Sequence, residues 1–548
     1  MQSRQILAGS VASVALLALT AGGANAQTGR VQQLENQMQD LQGNYQSQIQ
    51  NLQSQIDQLK EEQSQQAAQA AAAQQQAAQA QAEYKRASSG LGGTYHIGGV
   101  TLKVGGFIES ATIYRSSTQT SDVATGMGTA VPFGASSQKG LSEFRESARQ
   151  SRLSLLAYGN PDEYTTLSAY FETDFLGMSS TANSNQSNSY NLRLRQAFAQ
   201  YDRKDMGFTF VGGQAWSLAT QYTSGLYPRN ENVPLTIDAN YNVGFNWLRV
   251  PQMRAIENFA PGWWAAISME SPQAVNINNS LPTTATPGVL ASSDVLTGLT
   301  GGSGGLLGGG GNTQTFSIDP LPDVIAKVAW EPGWGHYEVY GIGREFRTDV
   351  IAGSSFLQGK QTAWGGGIGA SALVPVIPKL IDFQASTLWG AGIGKYGAAQ
   401  LSDYTVNANG QPSPNREITG LVGVVGHPMP ALDLYGYWGI EHSFSNSFSN
   451  LAGNQFFGLG NPGFTNAFAS CPFGTFSAAG GAAVAGCNIQ QVQQVQVGGW
   501  WNFYKGEYGR MTFGASYSHL MLNTFPGTTG TRSTSNNIVM VSFRYYPF

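Results

Sequence analysis

The sequence has little charge, little cysteine and few long apolar runs. Only 11% of its 548 residues are charged, where soluble proteins average about 25%, and this argues against a series of ordinary soluble domains. Residues 6–24 form the one apolar stretch that approaches membrane length, and the mean hydropathy is −0.19, so a bundle of transmembrane helices is excluded as well. The net charge of −4 gives no sign of nucleic-acid binding.

Glycine and aromatic residues are, in contrast, abundant. The chain has 69 glycines, 27 phenylalanines, 23 tyrosines and 11 tryptophans, and so many aromatics do not fit a disordered chain. A β-barrel in lipid reaches a near-neutral mean hydropathy because apolar outward residues alternate with polar inward ones. The composition therefore favours an all-β transmembrane barrel.

Residues 1–26 are typical of a secretory signal peptide. Arg4 supplies a positive charge, residues 6–21 supply an apolar core, and residues 24–26 (Ala-Asn-Ala) form a cleavage site of the A-x-A type. An uncleaved membrane anchor is the alternative. The pattern predicts export from the cytoplasm.

The only two cysteines of the sequence are Cys471 and Cys487. Export takes the chain through an oxidising compartment, where disulfides persist, so we expect a disulfide that closes a short loop. Two free thiols and a metal site are the alternatives, although no Cys-x-x-Cys pair or His-rich stretch accompanies the cysteines.

Residues 27–90 predict a periplasmic α-helical coiled coil followed by an Ala/Gln-rich linker. Apolar residues recur at three- and four-residue steps, the a/d spacing of a coiled coil: Val31, Leu34, Met38, Leu41, Tyr45, Ile49, Leu52, Ile56 and Leu59. Residues 63–82 continue as Ala and Gln, and residues 88–90 break the helical pattern. One helix cannot bury such a seam alone, so the segment implies self-association. A Gln-rich disordered linker is the alternative.

Residues 91–548 have the two-residue period of β-strands. Leu167, Phe171 and Phe175 share one face, for example, whereas their neighbours within residues 166–175 are polar. Segments of this kind predict sixteen antiparallel strands: 101–115, 149–159, 164–176, 190–201, 207–218, 239–249, 262–271, 322–331, 336–347, 362–374, 380–391, 417–427, 432–443, 490–504, 508–521 and 535–548. Bacterial single-chain barrels have an even number of strands, as this count does.

The predicted connections alternate in length along the barrel. Those after even-numbered strands are short, whereas those after odd-numbered strands are long and rich in Gly, Ser, Asn and Thr, notably near 116–148, 272–321 and 444–489. Short periplasmic turns and long external loops are the rule for bacterial barrels. We therefore expect both ends of the barrel, and the coiled coil, in the periplasm, and one long loop folded into the pore.

The inward face carries an arginine patch on three adjacent predicted strands. Four arginines and two carboxylates, a formal surplus of positive charge, come together there: Arg149, Arg152, Glu172, Asp174, Arg193 and Arg195. Further inward candidates lie on other strands: Arg249, Arg254 (in or near a turn), Arg344 and Arg510. Guanidinium binds carboxylate in a planar fork, so such a patch favours small anionic solutes. The alternative is that these charges pair with one another and hold the wall rigid.

No residue pattern points to catalysis. The five histidines are scattered, without an H-E-x-x-H pair. His519 follows Ser518 directly, and neighbours on a strand point to opposite faces, so these two residues form no catalytic pair. We expect no catalytic residue, no cofactor and no metal, and we set aside a barrel lipase or protease.

Several motifs, taken in order, resemble the DcaP-like outer-membrane porins, which are associated with dicarboxylate uptake. The matching segments are Ala148-Arg149-Gln150-Ser151-Arg152-Leu153, Phe171-Glu172-Thr173-Asp174-Phe175, Leu192-Arg193-Leu194-Arg195, Gly213-Gln214-Ala215-Trp216-Ser217, Arg249-Val250-Pro251-Gln252-Met253-Arg254, Leu321-Pro322-Asp323 and Gly390-Ala391-Gly392-Ile393-Gly394-Lys395-Tyr396. The resemblance implies trimers of sixteen-stranded barrels with an N-terminal periplasmic coiled coil, passing small anions. Gln196 stands where this pattern has a histidine.

The sequence thus predicts a homotrimeric porin of the Gram-negative outer membrane, with lipid around the barrel and a helical collar in the periplasm. Small hydrophilic solutes, preferably anions such as dicarboxylates, would diffuse through an arginine-lined constriction. The alternative is a structural tether, in which the coiled coil binds peptidoglycan or a periplasmic partner and the barrel serves as an anchor.

Overall fold

The computed structural model describes residues 38, 43–44, 46–61, 93–119, 121–128, 131–134, 136, 138–177, 191–275, 295–296, 317–350, 359–407, 409–449, 456–460, 489–526 and 531–548. The chain divides into two compact units, Met1–Ser88 and Ser89–Phe548. The predicted signal peptide (1–26), the Ala/Gln-rich linker, and Cys471 and Cys487 lie outside the described residues.

The first unit contains a helix over residues 46–61, within the segment whose heptad spacing predicted one. Ile49, Leu52, Ile56 and Leu59 are between 49% and 63% exposed, so the apolar seam is uncovered in this single chain. The assembly of several such helices into a coiled coil stays a prediction. Among the described residues, none of the helices is long and apolar enough to cross a membrane.

The second unit contains a barrel of sixteen antiparallel strands. They are β1 (Val100–Arg115), β2 (Glu143–Ser147 and Arg152–Gly159), β3 (Thr165–Gly177), β4 (Asn191–Arg203), β5 (Phe208–Trp216), β6 (Arg249–Ala260), β7 (Trp263–Glu270), β8 (Asp323–Trp330), β9 (His336–Val350), β10 (Gly359–Ile377), β11 (Ile381–Ala391), β12 (Arg416–Met429), β13 (Leu432–Ser443), β14 (Ile489–Gly506), β15 (Gly509–Thr524) and β16 (Ser533–Tyr546). Both parts of β2 pair with β1, and β1 also pairs with β16, which closes the barrel. Short additional strands are Thr94–Ile97, Val295–Leu296, Tyr404–Val406, Pro412–Pro414, Asn446–Ser449 and Phe456–Leu459.

Fifteen of the sixteen predicted strands coincide with an observed strand over most of their length, and the strand count and the antiparallel order are confirmed. The prediction of a strand over 239–249 is wrong, because β6 begins only at Arg249. The preceding segment belongs to the β5–β6 connection, residues 217–248, which we call the inner loop. Its Tyr241 and Phe245 alternate with polar residues as in a membrane strand, yet they are 7% and 1% exposed because the loop lies inside the barrel.

The barrel wall has an apolar outside and a polar inside. Leu167, Phe171 and Phe175 on the outer face of β3 are 47%, 44% and 42% exposed, whereas Glu172 and Asp174 on its inner face are 6% and 1% exposed. A soluble protein would bury the apolar row against a core, but here the row is bare along the outside of the barrel, as expected for a wall in lipid.

Connections 116–142, 217–248 and 392–415 fold into the lumen and pack there. Their buried apolar residues form clusters with inward residues of the wall. In one cluster Val243 of the inner loop packs with Tyr435 and Tyr437 of β13. The lumen is therefore narrowed by loops from three separate parts of the chain.

The inner loop lies directly on the wall at Gly439 of β13. A Cβ atom added at Gly439 would lie 1.7 Å from the carbonyl oxygen of Val243. Only a residue without a side chain permits this approach.

We expect Gly439→Ala to displace the inner loop and to destabilise the barrel by about 1–3 kcal/mol, the usual cost of overpacking. Gly436→Ala on the same strand is the matched control, because its Cβ would meet Val497 only at 3.9 Å. Urea unfolding and single-channel conductance measure both variants. Wild-type behaviour of Gly439→Ala would contradict the observed position of the loop.

Candidate functional site

The inner loop and the wall enclose a cavity of about 490 Å³. Loop residues 229–241 form one side, and β2–β5 and β13–β16 form the other. Five arginines and five carboxylates line it: Arg152, Arg195, Arg229, Arg510, Arg544, Glu172, Asp174, Glu231, Asp238 and Asp433. The formal charges of these ten side chains balance. The electrostatic field that a solute meets therefore depends on which of the charged side chains are covered by other residues.

Arg195 is buried and pairs with two carboxylates. It is the extra residue of a β-bulge between β3 and β4, a feature that re-aims a side chain. Its Nε lies 2.6 Å from Glu172 Oε1, and its Nη1 lies 2.8 Å from Asp174 Oδ2. Arg193 donates to the same Asp174 carboxylate at 3.0 and 2.7 Å. The structure thus brings these four predicted residues together, and they neutralise one another.

Arg152 is more open to the cavity. The register of β2 and β3 places Arg152 opposite Asp174, two residues from Glu172 and on the same inward face. Its Nη1 lies 3.6 Å from Glu172 Oε2, and 30% of its side chain is exposed. Its Nε is covered and has no hydrogen-bond partner within the described chain. Because the Arg152 side chain lines the cavity and is partly exposed, it presents a positive charge to the cavity.

Arg149 and Arg249 lie outside the cavity lining. Arg149, in the interruption of β2, donates from Nη1 to Asp122 Oδ2 at 2.6 Å and so holds the 116–142 loop. The guanidinium of Arg249 lies over the rings of Trp216 and Trp247, 5.0 and 5.1 Å from their centroids. These two predicted residues therefore fix loop positions.

Arg254 and Arg344 also hold loops on the wall. The expectation that Arg254 lies in or near a turn is wrong, because β6 starts later than predicted and places Arg254 in its middle. Arg254 is fully buried and donates to Tyr222 Oη of the inner loop. Arg344 of β9 donates from Nη1 to Asp403 Oδ1 in the 392–415 loop at 2.8 Å.

The sequence analysis missed Arg229, Glu231, Asp238, Asp433 and Arg544 among the charged residues of the lining. Asp433 and Arg544 could have been found, because the period of two places them on the inward faces of β13 and β16. The Arg544 guanidinium lies 4.4 Å from the ring centroid of Trp500. The three loop residues give no comparable signal, since a loop has no fixed side-chain period.

A buried group of residues, which we call the Glu338 cluster, anchors the start of the inner loop. The Glu338 carboxylate of β9 accepts hydrogen bonds from the backbone N–H of Tyr222 (2.7 Å), Lys327 Nζ (2.8 Å), His336 Nε2 (2.9 Å) and Ser371 Oγ (2.6 Å). Lys327 also donates to the carbonyl of Thr220 at 2.7 Å. The side chains of Glu338 and Lys327 are both fully buried, so the loop is attached through a desolvated ion pair.

His427 lies beside the cavity between two carboxylates. Its Nδ1 is 2.7 Å from Asp433 Oδ1, and its Nε2 is 3.3 Å from Asp382 Oδ2. In the part of the chain that the structure describes, no group of three or more His, Cys, Asp or Glu is arranged to hold a metal ion.

Similar barrels occur among solved structures, although neither a protein-family model nor a curated protein matches the sequence. The outer-membrane channel DcaP of Acinetobacter baumannii matches with a TM-score of 0.54 and 17% identity, over 83% of this chain and 99% of that one. Two other porins match less well. One is an anion-selective porin from Comamonas acidovorans, with a TM-score of 0.42 and 10% identity over 82% of this chain and 99% of that one. The other is OmpF of Salmonella typhi in complex with daunomycin, with a TM-score of 0.43 and 10% identity over 83% of this chain and 99% of that one. The closed sixteen-stranded barrel of this chain is therefore the fold of the outer-membrane channel DcaP, whose family its sequence motifs resemble.

Proposed function

We propose that this protein is an outer-membrane porin, a passive diffusion channel for small hydrophilic solutes that prefers anions such as dicarboxylates. The channel fold supports a transport role rather than an enzymatic one. The cavity beside the inner loop supports a constriction at that point, since loop and wall approach there from opposite sides.

The difference in exposure between cations and carboxylates carries the proposed anion preference. Four of the five lining arginines are at least partly exposed: Arg229 is exposed, Arg510 and Arg544 are half-buried, and the side chain of Arg152 is 30% exposed. Of the five lining carboxylates, Glu172, Asp174 and Asp238 are buried, whereas Asp433 (32% exposed) and Glu231 (half-buried) remain accessible. A passing solute therefore meets more guanidinium groups than carboxylates, and guanidinium binds a solute carboxylate through two parallel hydrogen bonds.

The proposal includes a homotrimer in the Gram-negative outer membrane, with a helical collar in the periplasm. The exposed apolar row of β3 supports contact with lipid. The uncovered seam of the helix over 46–61 supports self-association, because an apolar stripe on a lone helix stays in water unless another helix covers it.

We expect the double variant Arg152→Gln/Arg510→Gln to lower the anion-to-cation permeability ratio about tenfold, because two charges leave the cavity lining. Reversal potentials across planar bilayers in a salt gradient measure this ratio. Arg203→Gln is the matched control, since Arg203 pairs with Asp205 at 2.7 Å in the β4–β5 turn outside the cavity lining. A wild-type channel that prefers cations would overturn the proposal.

A further inference from the structure

Glu231 differs from the other carboxylates of the cavity. Each of those has a donor at hydrogen-bond distance: Glu172 and Asp174 bind Arg195, Asp238 accepts from the backbone N–H of Asn240, and Asp433 contacts His427. Glu231 is half-buried on the inner loop and accepts from backbone N–H groups of that loop, but its Oε1 is covered and has no hydrogen-bond partner within the described residues. Among the lining carboxylates that the structure describes, Glu231 is therefore the one with a covered oxygen that lacks a donor, which disfavours its ionised form.

The groups around Glu231 come from three elements. Burial raises the pKa of Glu231 to about 7, and the Glu172 carboxylate of β3 adds to the increase. The backbone N–H of Glu231 itself, the guanidinium of Arg254 on β6 and the backbone N–H of Arg229 oppose this increase. Tyr222 forms a β-bridge with Glu231 within the inner loop. The net result is a carboxyl that changes charge near neutral pH, whereas an ordinary glutamate ionises near pH 4.3.

We propose that Glu231 sets the ion selectivity of the channel according to pH: ionised, it offsets the arginines of the cavity, and protonated, it leaves their charge uncompensated. This inference rests on the proposed porin function and deepens it. It names a residue that decides how strongly anions are preferred.

The sign of the effect follows from the charges of the lining. Five arginines face five carboxylates when Glu231 is ionised, and four when it is protonated. As the pH falls through about 7, the cavity gains one positive charge, and the anion-to-cation permeability ratio rises about threefold. Two further titratable groups lie in or beside the lining. His427 contacts the lining residue Asp433, and burial also raises the pKa of Asp238.

The test measures reversal potentials of the full-length protein in planar bilayers at about pH 5.5 and about pH 8.5. For the wild type we expect an anion preference that is about threefold stronger at the lower pH. Glu231→Gln, which cannot ionise, should hold the stronger preference at both values. Glu231→Asp keeps a carboxyl and should keep a pH dependence. Glu163→Gln removes a charge in an exposed turn outside the lining and should behave like the wild type.

The possible results separate this inference from the proposed function. Glu231→Gln with the full pH dependence of the wild type overturns the role of Glu231 and leaves the anion preference standing. In another outcome the wild-type channel prefers cations at both pH values, and Glu231→Gln abolishes the pH dependence of its selectivity. This outcome supports the role of Glu231 and overturns the proposed anion preference. If Glu231→Gln does not fold, a pH-independent Glu231→Asp channel overturns the inference.

Discussion

Replacing Arg195 by methionine is expected to destabilise the barrel by about 3–5 kcal/mol, because it removes the main partner of the buried Glu172 carboxylate and one of the two arginine partners of the buried Asp174 carboxylate. Arg195 lies 2.6 Å from Glu172 and 2.8 Å from Asp174, whose side chains are 8% and 1% exposed. Without Arg195, Asp174 still has Arg193, but Glu172 keeps only the Tyr170 hydroxyl at 3.1 Å and Arg152 at 3.6 Å. The same change makes the patch more negative and should reduce the anion preference. Urea unfolding, followed by the gel mobility of the folded barrel, measures the loss of stability.

Two controls separate the buried pairing from the loss of a large side chain. Arg193→Met should cost less, because its side chain is 18% exposed and Arg195 remains beside Asp174. The triple variant Arg195→Met/Glu172→Gln/Asp174→Asn should recover most of the lost stability, since replacing a whole buried ionic group by neutral residues is close to neutral. An Arg195→Met barrel as stable as the wild type would contradict the paired wall.

Replacing Glu338 by methionine is expected to release the start of the inner loop and to destabilise the barrel by about 3–5 kcal/mol. The substitution removes the acceptor of the Tyr222 N–H and leaves Lys327 charged and buried. Because this part of the loop is then no longer anchored, we expect single-channel currents that fluctuate between several levels. Planar-bilayer recordings measure the currents, and urea unfolding measures the stability.

The control for this prediction is the double variant Glu338→Met/Lys327→Met. It removes both charges of the buried pair, so the stability should largely return. The current should stay variable, because the Tyr222 N–H and the Thr220 carbonyl still lack their partners. Ser371→Ala removes one donor to Glu338 and should have a small effect on both measurements. A steady current in Glu338→Met would show that other contacts hold the loop.

The wall could be predicted from the sequence because its pattern is local. On β3 the exposed row Leu167, Phe171 and Phe175 and the covered carboxylates follow from the alternation of neighbouring residues alone. The same alternation misled the prediction at 239–249. A segment that lies flat on the inside of the wall also has one apolar side. The two-residue period of apolar residues does not show whether that side faces lipid or the interior of the protein.

Patterns along the chain are enough to predict fifteen of the sixteen strands, an antiparallel barrel and the inward face of Arg152, Arg193 and Arg195, because alternation along a strand depends on neighbouring residues. They do not show that Arg195 is neutralised, that Arg152 stays open and that Arg254 is covered by the inner loop, which follows only from the folded chain. The tertiary structure also decided that Glu231 enters the cavity. Burial and pairing of these charges depend on loops that return from distant parts of the chain, and no local pattern encodes where such a loop comes to rest.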